Sequence, residues 1–244
     1  MAYKSRFAGK IALVTGAGRG IGRGTAEALL EQGANVIALD IIQENLQSLK
    51  SKYPEITTVH VDLGNWKATK EIIESLPTVD LLVNNAGVLR TGSILDTREE
   101  DINFLLDVNL KGYLNVAQVV ARKLIAEKRC GTFVNVASVC ANKPISKEGA
   151  YCISKAGVQM LTEVLACELG PQGIRVNGIN PGGVNTDMGN IFGEEGKRWL
   201  AERTPLRRVG EVSEIVNGIL FLLSDESSYM NGHSLVVDGG LLKY

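Results

Sequence analysis

The sequence has few of the residues from which metal sites and disulfide frameworks are built. Its 244 residues include four cysteines and two histidines. No two cysteines form a Cys-x-x-Cys pair, the close spacing that many zinc and redox sites use. We therefore expect reduced, partly buried thiols and no metal site.

Long apolar runs and an excess of one charge are also lacking. No run is long enough to span a bilayer, and the formal net charge is −1. A balanced chain has no broad attraction for nucleic acid or an anionic membrane, so neither is an expected partner. The first residues carry Lys4 and Arg6 without the apolar core of a secretory signal. The expected location is the cytoplasm.

Short apolar runs alternate with longer amphipathic stretches along the chain. Continuous apolar runs are typical of parallel strands buried on both faces. Their alternation with helices predicts an α/β fold, a single doubly wound parallel sheet of the Rossmann type with about seven strands and helices on both faces. The candidate strands are residues 10–15, 35–40, 56–61, 79–84, 132–137, 175–179 and 234–237. The candidate helices are residues 21–32, 43–52, 66–76, 101–128, 149–169 and 212–223.

The chain shows no composition shift, linker or repeat that would divide it. We therefore expect one dinucleotide-binding and catalytic domain over residues 1–244. Residues 189–208 are rich in glycine and charge and fit neither a strand nor a helix pattern clearly. Because such segments near a site often close over it, we expect a substrate lid at residues 188–208.

A glycine-rich turn, Thr-Gly-Ala-Gly-Arg-Gly-Ile-Gly, occupies residues 15–22 directly after the first candidate strand. Glycines let the backbone approach a pyrophosphate, and the following helix offers free N–H groups. The third fingerprint position is Ile21 instead of glycine, so the spacing differs from the common motif. The turn still predicts nucleotide binding because it links a strand to a helix. The cofactor contacts expected here are Gly16, Arg19, Gly20, Ile21 and Gly22.

Asp40 closes the second candidate strand. A carboxylate there can accept hydrogen bonds from the adenine ribose of NAD and would repel a 2′-phosphate. Ile41 and Ile42 follow, so no arginine stands beside it. NAD(H) is therefore the preferred cofactor, although Arg19 could reach a 2′-phosphate and leaves NADP(H) open. Alone, Asp40 would be an ordinary residue at a strand end.

Tyr151 and Lys155 are four residues apart on a candidate helix and so share one face. A nearby ammonium would lower the pKa of the phenol and make it a workable acid/base near neutral pH. Alone, this spacing is more often a solvated helix face. Ser138 strengthens the prediction because it follows a strand at the edge where doubly wound sheets place their sites. A serine hydrolase is disfavoured because no Gly-x-Ser-x-Gly surrounds Ser138.

These motifs together resemble those of the short-chain dehydrogenase/reductase superfamily. They appear in family order, and the resemblance covers the whole chain. Each is weak singly, but the set is highly specific. The matching positions are residues 15–22, Asn84 to Gly87, Asn109, Ser138, Tyr151 to Lys155 and Asn180 to Gly182.

The resemblance implies a role for each matching position. Tyr151 would exchange a proton with the substrate, while Lys155 would lower its pKa and bind the nicotinamide ribose. Ser138 would orient the substrate oxygen. Asn109 would hold, through local helix geometry, a water that connects Lys155 to solvent. Further implied cofactor contacts are Asp62, Leu63, Asn85, Ala86, Gly87, Pro181, Gly182, Val184 and Thr186.

Residues 61–66, 79–87 and 217–225 and the chain length more closely resemble the dicarbonyl/L-xylulose reductase branch, which implies an NADPH-dependent homotetramer. The sequence departs from the branch at Asp40-Ile41, where a hydroxyl residue and an arginine are usual. It also departs at Glu148, near the position of a substrate-contacting histidine. The expected substrate contacts are Ser138, Glu148 and Tyr151. Further polar groups expected on the pocket wall are Asn142, Lys143 and Asn190.

The expected function is hydride transfer between NAD(H) and a small-molecule carbonyl or hydroxyl substrate, with L-xylulose/xylitol or an α-dicarbonyl preferred. A 3-oxoacyl thioester or steroid reductase is an alternative within the same family, although few aromatics disfavour a large flat substrate. An alternative of another class is a scaffold that senses NAD without turnover. The set of Asn109, Ser138, Tyr151 and Lys155 argues against it, because a sensor needs none of them.

Overall fold

The structure, a computed structural model, describes residues 6–191 and 193–243. Within these ranges seven parallel strands form one sheet in the order β3-β2-β1-β4-β5-β6-β7. This confirms the predicted doubly wound parallel sheet. The strands are β1 (Ile11–Thr15), β2 (Asn35–Asp40), β3 (Thr57–His60), β4 (Leu81–Asn84), β5 (Gly131–Val136), β6 (Ile174–Pro181) and β7 (Ser234–Val237).

Helices cover both faces of the sheet. They are α1 (Gly20–Glu31), α2 (Gln43–Lys52), α3 (Trp66–Ser75), α4 (Glu99–Leu106), α5 (Gly112–Ala126), α6 (Gly149–Leu169), α7 (Asp187–Asn190), α8 (Gly193–Arg203) and α9 (Val212–Leu223). Among the residues that the structure describes, no helix is both long and apolar enough to cross a membrane.

Two apolar cores lie on opposite faces of the sheet, because alternate residues of each strand point to opposite sides. On β1, Val14 packs into the core beneath α1 and α9, which contribute Leu29 and Ile219. Its neighbour Leu13 packs into the other core, with Val116 of α5. Both faces of the central strands are therefore dry, as their unbroken apolar runs indicate.

The strand order reverses beside β1, which pairs with β2 on one side and with β4 on the other. The two connections leave the carboxyl ends of these strands in opposite directions and open a crevice there. Ligands of doubly wound sheets bind in this crevice. The sheet topology therefore fixes where a site is to be found.

Two segments differ from the sequence expectation. The helix predicted over residues 101–128 is interrupted between α4 and α5 by a π-helical turn, Asp107–Lys111. The segment at residues 189–208, which fitted no clear pattern, contains the end of α7 and all of α8. Phe192 and the side chain of Asn190 lie outside the described part of the chain.

Candidate active site

A cavity of about 360 Å³ opens along the carboxyl ends of the central strands. The glycine turn after β1 forms one end, and Ser138 after β5 lies toward the other. The predicted cofactor contacts that line this cavity are Gly16, Arg19, Gly20, Ile21, Asp40, Asp62, Leu63, Asn85, Ala86, Gly87, Tyr151, Lys155, Pro181, Gly182, Val184 and Thr186.

Gly22, the remaining predicted cofactor contact, packs behind the turn instead. A Cβ atom at Gly22 would lie 2.1 Å from the Gly16 carbonyl oxygen and 2.4 Å from Asn85 Nδ2. That Asn85 amide donates to the carbonyl oxygens of Thr15 and Gly16, at 2.9 and 3.1 Å. Only glycine leaves room for this packing, so Gly22 sets the approach of α1 to the turn.

The N-terminus of α1 faces the cavity with free donors. Its N-cap residue, Arg19, makes no side-chain hydrogen bond to the first-turn amides. These amides and the positive end of the helix dipole suit an anionic group such as a pyrophosphate. The guanidinium of Arg19 lies 3.7 Å from the Asp187 carboxylate at the start of α7, and both side chains are exposed.

Asp40 is buried at the end of β2. One carboxylate oxygen accepts from Gly18 N at 2.8 Å, and the other accepts from Ile42 N at 2.9 Å. A Cβ atom at Gly18 would lie 2.9 Å from the carboxylate, so the absence of a side chain there makes the contact possible. The carboxylate is thus fixed in place on the cavity wall.

Tyr151, Lys155 and Ser138 come together at the other end of the cavity. Tyr151 and Lys155 are buried on α6, and Ser138 lies close enough to the Tyr151 phenol to act toward lowering its pKa. Lys155 Nζ lies 5.8 Å from the centre of the Tyr151 ring and donates to the Val136 carbonyl oxygen at 2.9 Å. The arrangement places a phenol, a hydroxyl and an ammonium at one edge of the sheet.

The protonation of this group differs from the sequence expectation. Burial raises the pKa of the Tyr151 phenol well above its ordinary value, and nearby Cys140 and Glu148 add to the shift. Burial lowers the pKa of Lys155 to about 8. Burial is the largest influence on the phenol pKa, and the Lys155 ammonium donates to the Val136 carbonyl oxygen. The raised pKa keeps the Tyr151 phenol protonated at neutral pH.

Asn109 lies behind Lys155, on the π-helical turn, and is fully buried. Its side-chain oxygen accepts from Val88 N at 2.8 Å. Its side-chain nitrogen donates to Val88 O and to Ser154 Oγ, each at 3.0 Å. Asn109 thus ties α6 and the segment after β4 to the π turn, and it is not among the residues that line the cavity.

Glu148 lies on the cavity wall near Tyr151 and is 9% exposed. Its carboxylate accepts from the Cys140 thiol at 3.6 Å, and burial raises the pKa of this carboxyl. Burial also raises the pKa of Cys140 to about 12. The sequence predicts reduced, partly buried thiols, and Cys140 and Cys152 are both buried. Cys140 also lines the cavity, and its position two residues after Ser138 was the signal that could have revealed this.

The other polar residues expected on the pocket wall are placed elsewhere. Asn142 accepts from Asn180 Nδ2 at 2.6 Å and donates to Gln159 Oε1 at 3.2 Å, away from the lining of the first cavity. Lys143 lines a neighbouring cavity. Asn190 lies outside the described side chains.

This second cavity, of about 680 Å³, adjoins the first. Trp199 and Arg203 of α8 form part of its wall, with the Arg203 guanidinium 4.1 Å from the centre of the Trp199 ring. The two cavities share the wall residues Val139, Ile145, Leu200 and Leu241.

Comparison with known proteins decides the family. A family model described as enoyl-(acyl carrier protein) reductase matches residues 16–242. Human L-xylulose reductase is 45% identical over 236 residues, which are 96% of this chain and 97% of that protein. The chain belongs to the short-chain dehydrogenase/reductase family. It is therefore an oxidoreductase of a family that uses NAD(P)(H).

Two further members resemble the chain over nearly its whole length. Carbonyl reductase (NADPH) 2 from Sus scrofa is 44% identical and covers 97% of this chain and 98% of its own. The crystal structure of a gluconate 5-dehydrogenase from Burkholderia cenocepacia in complex with NADP and tartrate has a TM-score of 0.92 and 33% identity. It covers 99% of this chain and 98% of its own. The resemblance to the L-xylulose reductase branch seen in the motifs is thus confirmed.

Proposed function

We propose that this oxidoreductase transfers a hydride between NAD(H) and a small carbonyl or hydroxyl substrate, with L-xylulose/xylitol or an α-dicarbonyl preferred. One observation carries the proposal. The Tyr151 phenol and the Ser138 hydroxyl line the same cavity as the glycine turn and the fixed Asp40 carboxylate. An acid/base group and a dinucleotide cradle therefore face one space.

A bound nicotinamide supplies or accepts the hydride. In reduction, the Tyr151 hydroxyl donates its proton to the carbonyl oxygen, while the Ser138 hydroxyl donates a hydrogen bond that orients this oxygen. The Lys155 ammonium then stabilises the phenolate left on Tyr151. In the oxidising direction Tyr151 takes the proton back. Burial suits the first direction, because it keeps the phenol protonated.

The preference for NAD(H) follows from Asp40. Its carboxylate is held by two backbone amides and would meet a 2′-phosphate with like charge. Arg19, which could offset that repulsion, lies beside Asp187. The Sus scrofa relative carries NADPH in its name, so Asp40-Ile41 is where we propose that this chain departs from it.

The substrate preference follows from Glu148. A buried carboxyl on the cavity wall disfavours a substrate carboxylate, because two anions would share a desolvated space. It can hydrogen-bond the hydroxyls of a neutral ketose or polyol. Lys197 also lines the cavity, but its ammonium lies 3.4 Å from Glu194. A neutral hydroxylated substrate is therefore favoured over an acidic one.

Initial rates test this function. The purified chain would be assayed with NADH and with NADPH on L-xylulose and diacetyl, and with NAD on xylitol. We expect turnover that is faster with NADH and is lost in Tyr151→Phe. A strong NADPH preference would contradict the interpretation of Asp40. Cofactor binding without turnover on any of these substrates would favour the NAD-sensing scaffold.

A second candidate is a 3-oxoacyl thioester reductase. The adjoining cavity of about 680 Å³ favours it, because a substrate longer than a pentose could extend past Val139 and Leu200. Acetoacetyl-CoA in the same assay separates the two candidates. A kcat/KM for this thioester well above that for L-xylulose would favour the second.

We propose that the protein assembles as a homotetramer, as the family resemblance implies. The α6 helix supports this, because Ile153, Met160 and Val164 are exposed on one face of it. Analytical ultracentrifugation tests the assembly.

Residues 188–208 are proposed as the substrate lid, since Lys197 and Leu200 reach the cavity from α8. The single domain and the cytoplasmic location stay predictions.

A further inference from the structure

Tyr113, a residue of α5, lies directly beneath the Lys155 side chain. It is fully buried, and Lys155 Nζ lies 5.5 Å from the centre of its ring. The Tyr113 hydroxyl donates to the Val136 carbonyl oxygen at 3.2 Å. The same oxygen accepts from Lys155 Nζ at 2.9 Å. The ammonium is thus close to the ring centres of both Tyr113 and Tyr151, at 5.5 and 5.8 Å, and one carbonyl oxygen accepts its hydrogen bond.

These contacts favour a charged and immobile lysine. The face of an aromatic ring attracts a cation, and the attraction is larger where water is excluded. A carbonyl oxygen has two lone pairs and can accept both donors. The Tyr113 hydroxyl therefore braces the carbonyl without displacing the ammonium.

Few other groups near Lys155 stabilise the charged form of its side chain. Tyr151 lies on its own helix, Tyr113 on α5, Cys140 on the turn after β5, and the neutral Asn109 on the π turn. Burial lowers the pKa of Lys155, and among the described residues Cys140 acts in the opposite direction. The contacts of the ammonium are with the Val136 carbonyl oxygen, the Tyr113 ring and the Tyr151 ring.

We propose that Tyr113 is a positioning residue for the reaction: its ring and hydroxyl hold the Lys155 ammonium in place beside Tyr151. The inference rests on the proposed hydride-transfer function. In the sequence, Tyr113 is an aromatic residue on the buried face of an amphipathic helix, a pattern that indicates core packing alone.

Three replacements at position 113 test separately the contributions of the aromatic ring, the hydroxyl and the side-chain volume. Tyr113→Phe keeps the ring, so the alkaline limb of the kcat profile should stay in place while kcat falls about fivefold, as for one lost neutral hydrogen bond. Tyr113→Leu removes the ring, so the limb should move down by about one pH unit. Trifluorophenylalanine at position 113 keeps the shape but weakens the ring's attraction, so its limb should lie between those of the other two.

Phe133→Leu is the matched control, because Phe133 is a fully buried aromatic residue of the core on β5. Phe133→Leu should lower Tm without shifting the pH of the alkaline limb of the kcat profile. NMR titration of 13C-labelled lysine, with Lys155→Met to assign the signal, measures the Lys155 pKa directly. This measurement succeeds even if the chain has no activity on the chosen substrates, and so separates failure of this inference from failure of the proposed function.

The proposal would be overturned if two quantities were the same in wild type, Tyr113→Leu and the fluorinated variant. These are the pH of the alkaline limb of the kcat profile and the Lys155 pKa measured by NMR. Tyr113 would then contribute packing alone, like Phe133. If Tyr113→Leu does not fold, the fluorinated variant compared with Tyr113→Phe decides the question, because the two have nearly the same shape.

Discussion

The two ends of the active-site cavity are built by different means. At the cofactor end, backbone amides and missing side chains do the positioning, as in the Gly18 contact to Asp40 and the close packing of Gly22. At the catalytic end, buried side chains do it, and burial shifts the pKa values of Tyr151 and Lys155. Under the proposed function, cofactor binding would depend mainly on shape, and the chemistry would depend on where water is excluded.

Removing the phenol should have the largest effect and should be confined to the catalytic end. We expect Tyr151→Phe to lower kcat by about 10³-fold, because the substrate oxygen loses its proton donor. The Kd for NADH, measured by fluorescence, should stay within about twofold, since no cofactor-end contact changes. Tyr53→Phe is the control, because its hydroxyl bonds Glu31 at 3.4 Å on the surface. Near-wild-type turnover in Tyr151→Phe would refute the role.

The effect of replacing the Asp40 carboxylate should be confined to the cofactor end of the cavity. We expect Asp40→Ser with Ile41→Arg to move the ratio of kcat/KM for NADPH over NADH upward by about 100-fold, because repulsion of the 2′-phosphate becomes attraction. The pH profile with the preferred cofactor should not change. Each single variant is a control for the other. An unchanged ratio in the double variant would place the cofactor determinant outside this pair.

The pH dependence of reduction should report on Lys155. Because burial lowers its pKa to about 8, the protonated form is present below that pH and is lost above it. We expect kcat to fall about tenfold between about pH 7 and about pH 9, as the group that stabilises the Tyr151 phenolate loses its charge. The Kd for NADH should stay flat over this range. A rate that keeps rising to about pH 10 would contradict this assignment.

The smallest effect is expected from the substrate wall. Glu148→Gln removes a negative charge with little change in shape, so the kcat/KM for gluconate relative to L-xylulose should rise about fivefold. Asp96→Asn, on the short helix Ile94–Asp96 outside the cavity lining, is the matched control. A ratio that is the same in both variants would show that Glu148 does not select against carboxylates.

Features with a local spacing could be predicted from the sequence. The glycine turn and the four-residue separation of Tyr151 and Lys155 fix neighbours within one element, and apolar runs fix the buried strands. The features that could not be predicted depend on tertiary contacts. Asn142 is turned toward Asn180, and Cys140 is paired with Glu148. Neither contact has a sequence pattern.

The same limit applies to protonation and to irregular helices. The direction of the Tyr151 pKa depends on how much water the surrounding elements exclude, which the pairing with Lys155 does not reveal. The π-helical turn Asp107–Lys111 lies inside a predicted helix, and its amino-acid composition does not distinguish it from an α-helix. The helix α8 was missed because most of its residues are polar and it buries no residue that would mark one face.

The Asp40 carboxylate stabilises the turn in addition to facing the cavity, because two backbone amides donate hydrogen bonds to it. Redesign of the cofactor preference is therefore also redesign of a loop. A substitution that removes the side-chain oxygens leaves the N–H groups of Gly18 and Ile42 without their acceptor. Successful variants should be those whose new side chain still accepts a hydrogen bond, and serine or asparagine should be tolerated there better than alanine or valine.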